Sequence, residues 1–91
     1  MNIQIIKIIP GRAPVYSETR GRLFEEVAGI VATAIIEDAD KPGKRIPLGM
    51  HDLPDKSACW SSDVDEIERV AKAALADDAF SARVRGWFGG R

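Results

Sequence analysis

His51, Asp52, Asp55 and Cys59 form the one group in this sequence whose side chains commonly ligate metals or act as nucleophiles. A zinc site needs several Cys and His ligands at tight spacing. Here one His and one Cys stand eight positions apart, so the group reads as a polar loop and no metal ligand is assigned. A Cys–His nucleophile pair would place Cys59 just ahead of a helix N-terminus, which lowers a thiol pKa. No third residue is evident to orient the base. A cysteine between Ala58 and Trp60 behaves more readily as a small buried hydrophobe. Gly11, Gly43, Gly49 and Gly86 match no phosphate-binding spacing. We therefore expect no catalytic residue, no metal and no cofactor, and a protein that is not an enzyme.

Two other groups have partner-binding chemistry. Asp63, Asp65, Glu66 and Glu68 make an acidic run suited to a basic surface. The same acids suit the first turn of a helix, whose free N–H groups and dipole favour negative charge. In "FSARVRGWFGGR", Arg83, Arg85 and Arg91 are interleaved with Phe80, Trp87 and Phe88. Arginine beside an aromatic is the composition of interface hot spots and of base-stacking surfaces. The competing reading docks the aromatics on the core and leaves the arginines in water. Arg83, Arg85 and Trp87 are the candidate anchor, and Asp63, Asp65, Glu66 and Glu68 the candidate acidic patch.

The elements that position these groups follow from periodicity and breakers. "SSDVDEIERVAKAALADD" is the clearest. Ser62 or Asp63 caps a helix, Asp65 or Glu66 completes a capping box, and Val64, Ile67, Ala71, Ala74 and Leu75 form its apolar stripe. The stripe loses phase at Asp77-Asp78, where a second short helix starts with Phe80, Val84, Trp87 and Phe88 on one side. Gly89-Gly90 end it.

The N-terminal half is less regular. "NIQIIKII" (2–9) alternates as a strand, with Ile3, Ile5 and Ile9 on one face and Ile6 and Ile8 on the other. Apolar residues on both faces predict a central, covered strand. Pro10-Gly11 fit a turn, and "APVYSE" returns as a short or edge strand because Pro14 lacks a backbone donor. Residues 22–50 allow two readings. Helical spacing of Leu23, Val27, Ile30 or Val31, and Ala34 supports one long helix. Gly29, the β-branched Ile30, Val31, Thr33, Ile35 and Ile36, and the acids Glu37, Asp38 and Asp40 oppose it. The balance favours a helix from about Thr19 to Ala28, a strand from Ile30 to Glu37, a turn at Asp40-Lys41-Pro42-Gly43 and a return strand in "KRIPLGM". Residues 51–58 read as loop.

Together these predict one α+β domain over residues 1–91. A small antiparallel sheet of two to four strands is packed by two or three helices, and the C-terminal half is helical. The order strand, Pro-Gly turn, strand, helix, strand resembles the first half of a β-grasp fold, and "MNIQIIKI" is similar to a ubiquitin-like first strand. The second half departs from that pattern. It ends in helices and "GGR" rather than in a strand and a free diglycine, so no family is assigned and Gly89-Gly90 is not taken as a conjugation tail.

Composition narrows the function classes. The fraction of apolar residues, 45 %, is that of a globular chain, and no apolar run reaches the roughly 20 residues of a membrane span. No signal peptide is read at the N-terminus, and the lone Cys59 leaves no internal disulfide framework, so a cytoplasmic setting is expected. Frequent Ala and Arg with a single asparagine, Asn2, hint at a GC-rich bacterial or phage genome. Net charge is −1, which argues against a dedicated nucleic-acid binder. Charge alternates in blocks: net +3 over 1–22, −5 over 23–40, +2 over 41–56, −4 over 57–78 and +3 over 79–91.

Three functions are therefore expected, in this order. The first is a small non-enzymatic regulator or inhibitor that occludes a surface of a larger protein, comparable in type to phage-encoded anti-CRISPR proteins. The second is a subunit that self-associates into a homo-oligomer through a strand edge or the aromatic tail. The third is a weak nucleic-acid-binding accessory protein using Arg12, Arg20, Arg22, Lys44 and Arg45.

Overall fold

A computed structural model of the chain describes residues 1–12, 16–17, 22–23 and 31–89. Its centre is the hairpin that the breakers pointed to. Strand β4 (Thr33–Asp38) and strand β5 (Arg45–Gly49) pair antiparallel, with Ile36 opposite Ile46 and Ala34 opposite Leu48. Five of the six β4 residues are Thr, Ile or acids that a helix C-terminus would disfavour, and the strand reading prevails. Gly43 takes φ +120°, a backbone conformation that side chains with a Cβ rarely adopt. Glu37 fastens the turn: it accepts from the Gly43 N–H at 3.2 Å and from Arg45 Nε at 3.4 Å.

Strand β1 (Ile3–Ile9) pairs antiparallel with the other side of β4, so the sheet order is β1-β4-β5. The central strand is β4, and β1 is an edge strand of this sheet; the expectation of a central β1 is corrected. Its isoleucines also face differently from simple alternation. The register slips between Ile5 and Lys7, so Ile6 is an extra residue in a β-bulge. One extra residue inverts the parity of everything after it. Ile3, Ile5 and Ile8 therefore share the core side with Asp38, Ile36 and Ala34, Ile9 pairs with Thr33 on the opposite side, and Ile6 is 41 % exposed.

Strands β2 (Tyr16–Ser17) and β3 (Arg22–Leu23) pair with each other in a separate two-stranded ladder. Tyr16–Ser17 is the return strand expected in "APVYSE", but it does not join β1. Arg22–Leu23 is strand where a helix over about 19–28 was expected; the rest of that helix, Pro14 and Gly90 lie outside the described residues. With β1 paired to β4 rather than to the strand that follows it, the β-grasp order is not followed either.

The second half is helical, and the fold is α+β with an antiparallel sheet. Helix α1 (Val64–Ala76) packs on β1 and β4, and helix α2 (Asp78–Trp87) packs on α1. The buried stripe of α1 is Ile67, Val70, Ala71 and Ala74, at i, i+3, i+4 and i+7. Val64, expected in that stripe, is the first residue of the helix and is 43 % exposed. Phe80 and Val84 bury α2. The loop between sheet and helix is not peripheral: Met50, Leu53 and Ala58 are fully buried, and Ala32 donates its N–H to the Cys59 carbonyl.

Candidate partner-binding surface

The acidic run is placed at the start of α1, and local partners take most of it. Asp63 is the N-cap; its Oδ1 accepts from the N–H groups of Asp65 at 3.0 Å and Glu66 at 3.4 Å. Glu66 does not reach back to the cap residue directly. Ser61 Oγ donates to Glu66 Oε2 at 3.0 Å and accepts from the Asp63 N–H at 3.0 Å, so a serine hydroxyl relays the capping box. Glu68 pairs with Lys72 at 3.0 Å, one turn on. Only Asp65 keeps both carboxylate oxygens free of a recorded partner among the described residues. The four acids are together at the start of α1, yet they do not present four free charges.

The candidate anchor residues are differently placed. Trp87 sets its ring edge-to-face against buried Phe80, with centroids 6.2 Å apart and planes at 85°. It remains 37 % exposed. The Arg83 guanidinium lies 5.7 Å from the Phe80 ring centroid. Arg83 and Arg85 are exposed, and neither has a carboxylate within ion-pair distance among the described residues. Of the aromatics in this tail, Phe80 belongs to the core, Phe88 is half-buried against it, and Trp87 is shared between core and solvent. Met1, Ile6, Trp60 and Val64 are the other large exposed apolar side chains described.

Sequence reasoning missed what stands beside this helix end. Lys44, from the turn between β4 and β5, donates Nζ to the Trp87 carbonyl at 3.1 Å. The two residues are 43 positions apart, so no local pattern announces the contact. A cavity of about 180 Å³ lies at this junction, lined by Met1, Asp38, Lys41, Lys44, Phe88 and Gly89. A second, shallower groove of about 520 Å³ runs between β1 and α1, with Ile3, Ile5 and Leu75 below and Glu68 and Lys72 at its rim.

The loop group is not assembled into a site. His51 stands over Gly49 with Nε2 3.3 Å from Asp52 Oδ1, and both side chains are exposed. Asp55 instead holds the loop: hydrogen bonds from the Ser57 hydroxyl and N–H, and the Arg69 charge, hold its carboxyl below the ordinary range. Cys59 is half-buried. Among the described residues no three His, Cys, Asp or Glu side chains converge as a metal site, and no helix is long and apolar enough to cross a membrane.

The cations named for nucleic acid are divided. Arg45 faces Glu37 and Lys44 faces the Trp87 carbonyl, Arg12 is exposed, and Arg20 and the Arg22 side chain lie outside the described residues. No protein-family model, no curated protein and no solved structure matches this chain.

Proposed function

We propose that this chain is a non-enzymatic protein-binding module that regulates or inhibits a larger protein by covering part of its surface. Its anchor is α2, where Trp87 and Arg83 lie one turn apart around Phe80 and Arg85 is exposed in the last turn. One observation carries the reading. Trp87 is held against Phe80 in a fixed orientation and still offers more than a third of its surface. An aromatic immobilised before binding loses little entropy on binding, and Trp and Arg dominate interface energetics. The acidic run supports the reading less, because capping and pairing already employ Asp63, Glu66 and Glu68. A bacterial or phage source and a reducing, cytoplasmic setting belong to the same proposal.

Self-association by strand edges is the weaker alternative. The β1 edge carries a bulge and the exposed Lys7, and the β5 edge carries the exposed Pro47. Charges, bulges and proline are the devices that prevent edges from pairing.

The test is affinity capture from a nuclease-treated bacterial lysate with three tagged forms: the wild type, Trp87→Ala and Asp65→Lys. The wild type and Asp65→Lys should retain one stoichiometric larger protein, and Trp87→Ala should lose it. A hot-spot truncation of 2 kcal/mol or more corresponds to roughly a 30-fold weaker complex. Equal retention by Trp87→Ala refutes the anchor. Recovery of only the chain itself, as a defined oligomer, establishes the assembly reading instead.

A further inference from the structure

The hairpin tip and the C-terminal end of α2 form one cationic end of the molecule. Lys44 sits on the Trp87 carbonyl, where the negative end of the helix favours a cation. Lys41 lines the adjoining cavity, and Phe88 supplies an apolar wall. Arg85 is an exposed cation in the last turn of α2, three positions before Phe88. Lys41, Lys44 and Arg85 have no carboxylate within ion-pair distance among the described residues. The acids nearby are already engaged: Asp38 accepts from two backbone N–H groups, and Asp40 stands 3.3 Å from the Met1 nitrogen. The groove between β1 and α1 lacks this polarity, since its rim charges Glu68 and Lys72 pair with each other.

We propose that this junction receives an acidic segment of the partner protein. Carboxylates of that segment face Lys41, Lys44 and Arg85, and one apolar side chain enters the cavity against Phe88. The cavity of about 180 Å³ is below the roughly 300–1,000 Å³ of small-molecule and cofactor sites, which favours a single side chain as occupant. The proposal rests on the reading of α2 as the anchor and adds the chemistry of what the anchor meets.

The experiment titrates the ¹⁵N-labelled full chain with two blocked pentapeptides, one with four glutamates around a central leucine and one with four lysines around it. The glutamate peptide should shift the amide signals of Lys41, Lys44 and Arg85 to Gly89. The lysine peptide should shift none of them. Binding should weaken roughly tenfold or more on raising salt from about 0.05 to 0.5 M and in Lys41→Glu, and further in Lys41→Glu/Lys44→Glu. Lys41 contributes only its backbone N–H to a hydrogen bond among the described residues, and Lys41→Glu keeps it, so a folding defect in the double variant does not mask the result. No shifts at millimolar glutamate peptide, or equal shifts with both peptides, overturn the proposal. A captured partner that is lost by Trp87→Ala but held by Lys41→Glu in high salt also overturns it, while leaving α2 as the anchor.

Discussion

Asp38 ends the central strand with its side chain on the apolar side of the sheet, only 3 % exposed. Burial alone would raise its pKa. The N–H groups of Asn2 and Asp40, which donate to Oδ1 at 3.1 and 3.0 Å, and the charges of the N-terminus and Lys41 outweigh that burial, and the carboxyl is held below its ordinary range. A carboxyl with a folded pKa below its unfolded value of about 3.9 stabilises the fold above that value, and the contribution is lost as pH falls through the folded pKa. The urea midpoint should therefore drop on acidification below about pH 5, and Asp38→Asn should flatten part of that drop. Identical pH profiles for wild type and variant would remove Asp38 from this role. Phe80 is the other residue on which several contacts meet. Phe80→Ala deletes a buried ring together with the support for Trp87 and Arg83, and should cost about 3–5 kcal/mol in urea unfolding.

At the scale of elements, α1 depends on its cap and β1 on its bulge. Asp63→Ala leaves the N–H groups of Asp65 and Glu66 without their acceptor and should lower stability by about 1 kcal/mol, read as a shift of the denaturant midpoint at unchanged slope. The bulge makes a sharper prediction. Without Ile6, the remaining partners of β1 (Ile5 with Ile36, Lys7 with Ile35, Ile8 with Ala34) run as an unbroken alternation. Deletion of Ile6 should therefore preserve the pairing of Ile8 with Ala34, seen as cross-strand backbone nuclear Overhauser contacts. A shift of that partner by one residue would mean that the bulge sets the register rather than accommodating a surplus residue.

At the scale of the whole molecule, one apolar core joins sheet, loop and helices. Leu48 from β5, Leu53 from the loop, Ile67 from α1 and Val84 from α2 are all buried in it. Leu48→Ala should cost about 2–5 kcal/mol. A domain of this length commonly has a total stability of about 5–14 kcal/mol, so that single change takes a large share of it. Urea denaturation followed by far-ultraviolet circular dichroism should show sheet and helix lost in one transition at a lower midpoint. Two separated transitions would contradict a shared core.

What the sequence determined by itself lies within a few residues at a time. The cap and stripe of α1, the break at Asp77, and the turn at Pro42-Gly43 are each decided by local dihedrals, nearby hydrogen bonds or a short period. The residues of the proposed anchor, Arg83, Arg85 and Trp87, stand out in the same local way as an arginine–aromatic composition. Other features needed the folded chain. The partner of β1, its place at the sheet edge, and the true faces of Ile8 and Ile9 depend on a bulge that only the pairing with β4 defines. Met50, Leu53 and Ala58 lie in a loop with no period, so nothing local marks them as core. The tertiary structure also separated two surfaces that look equally charged in the sequence. It engaged Asp63, Glu66 and Glu68 with nearby groups, and it carried Lys44 to the end of α2, because a hydrogen bond between distant residues forms only once the sheet and the helices share one core.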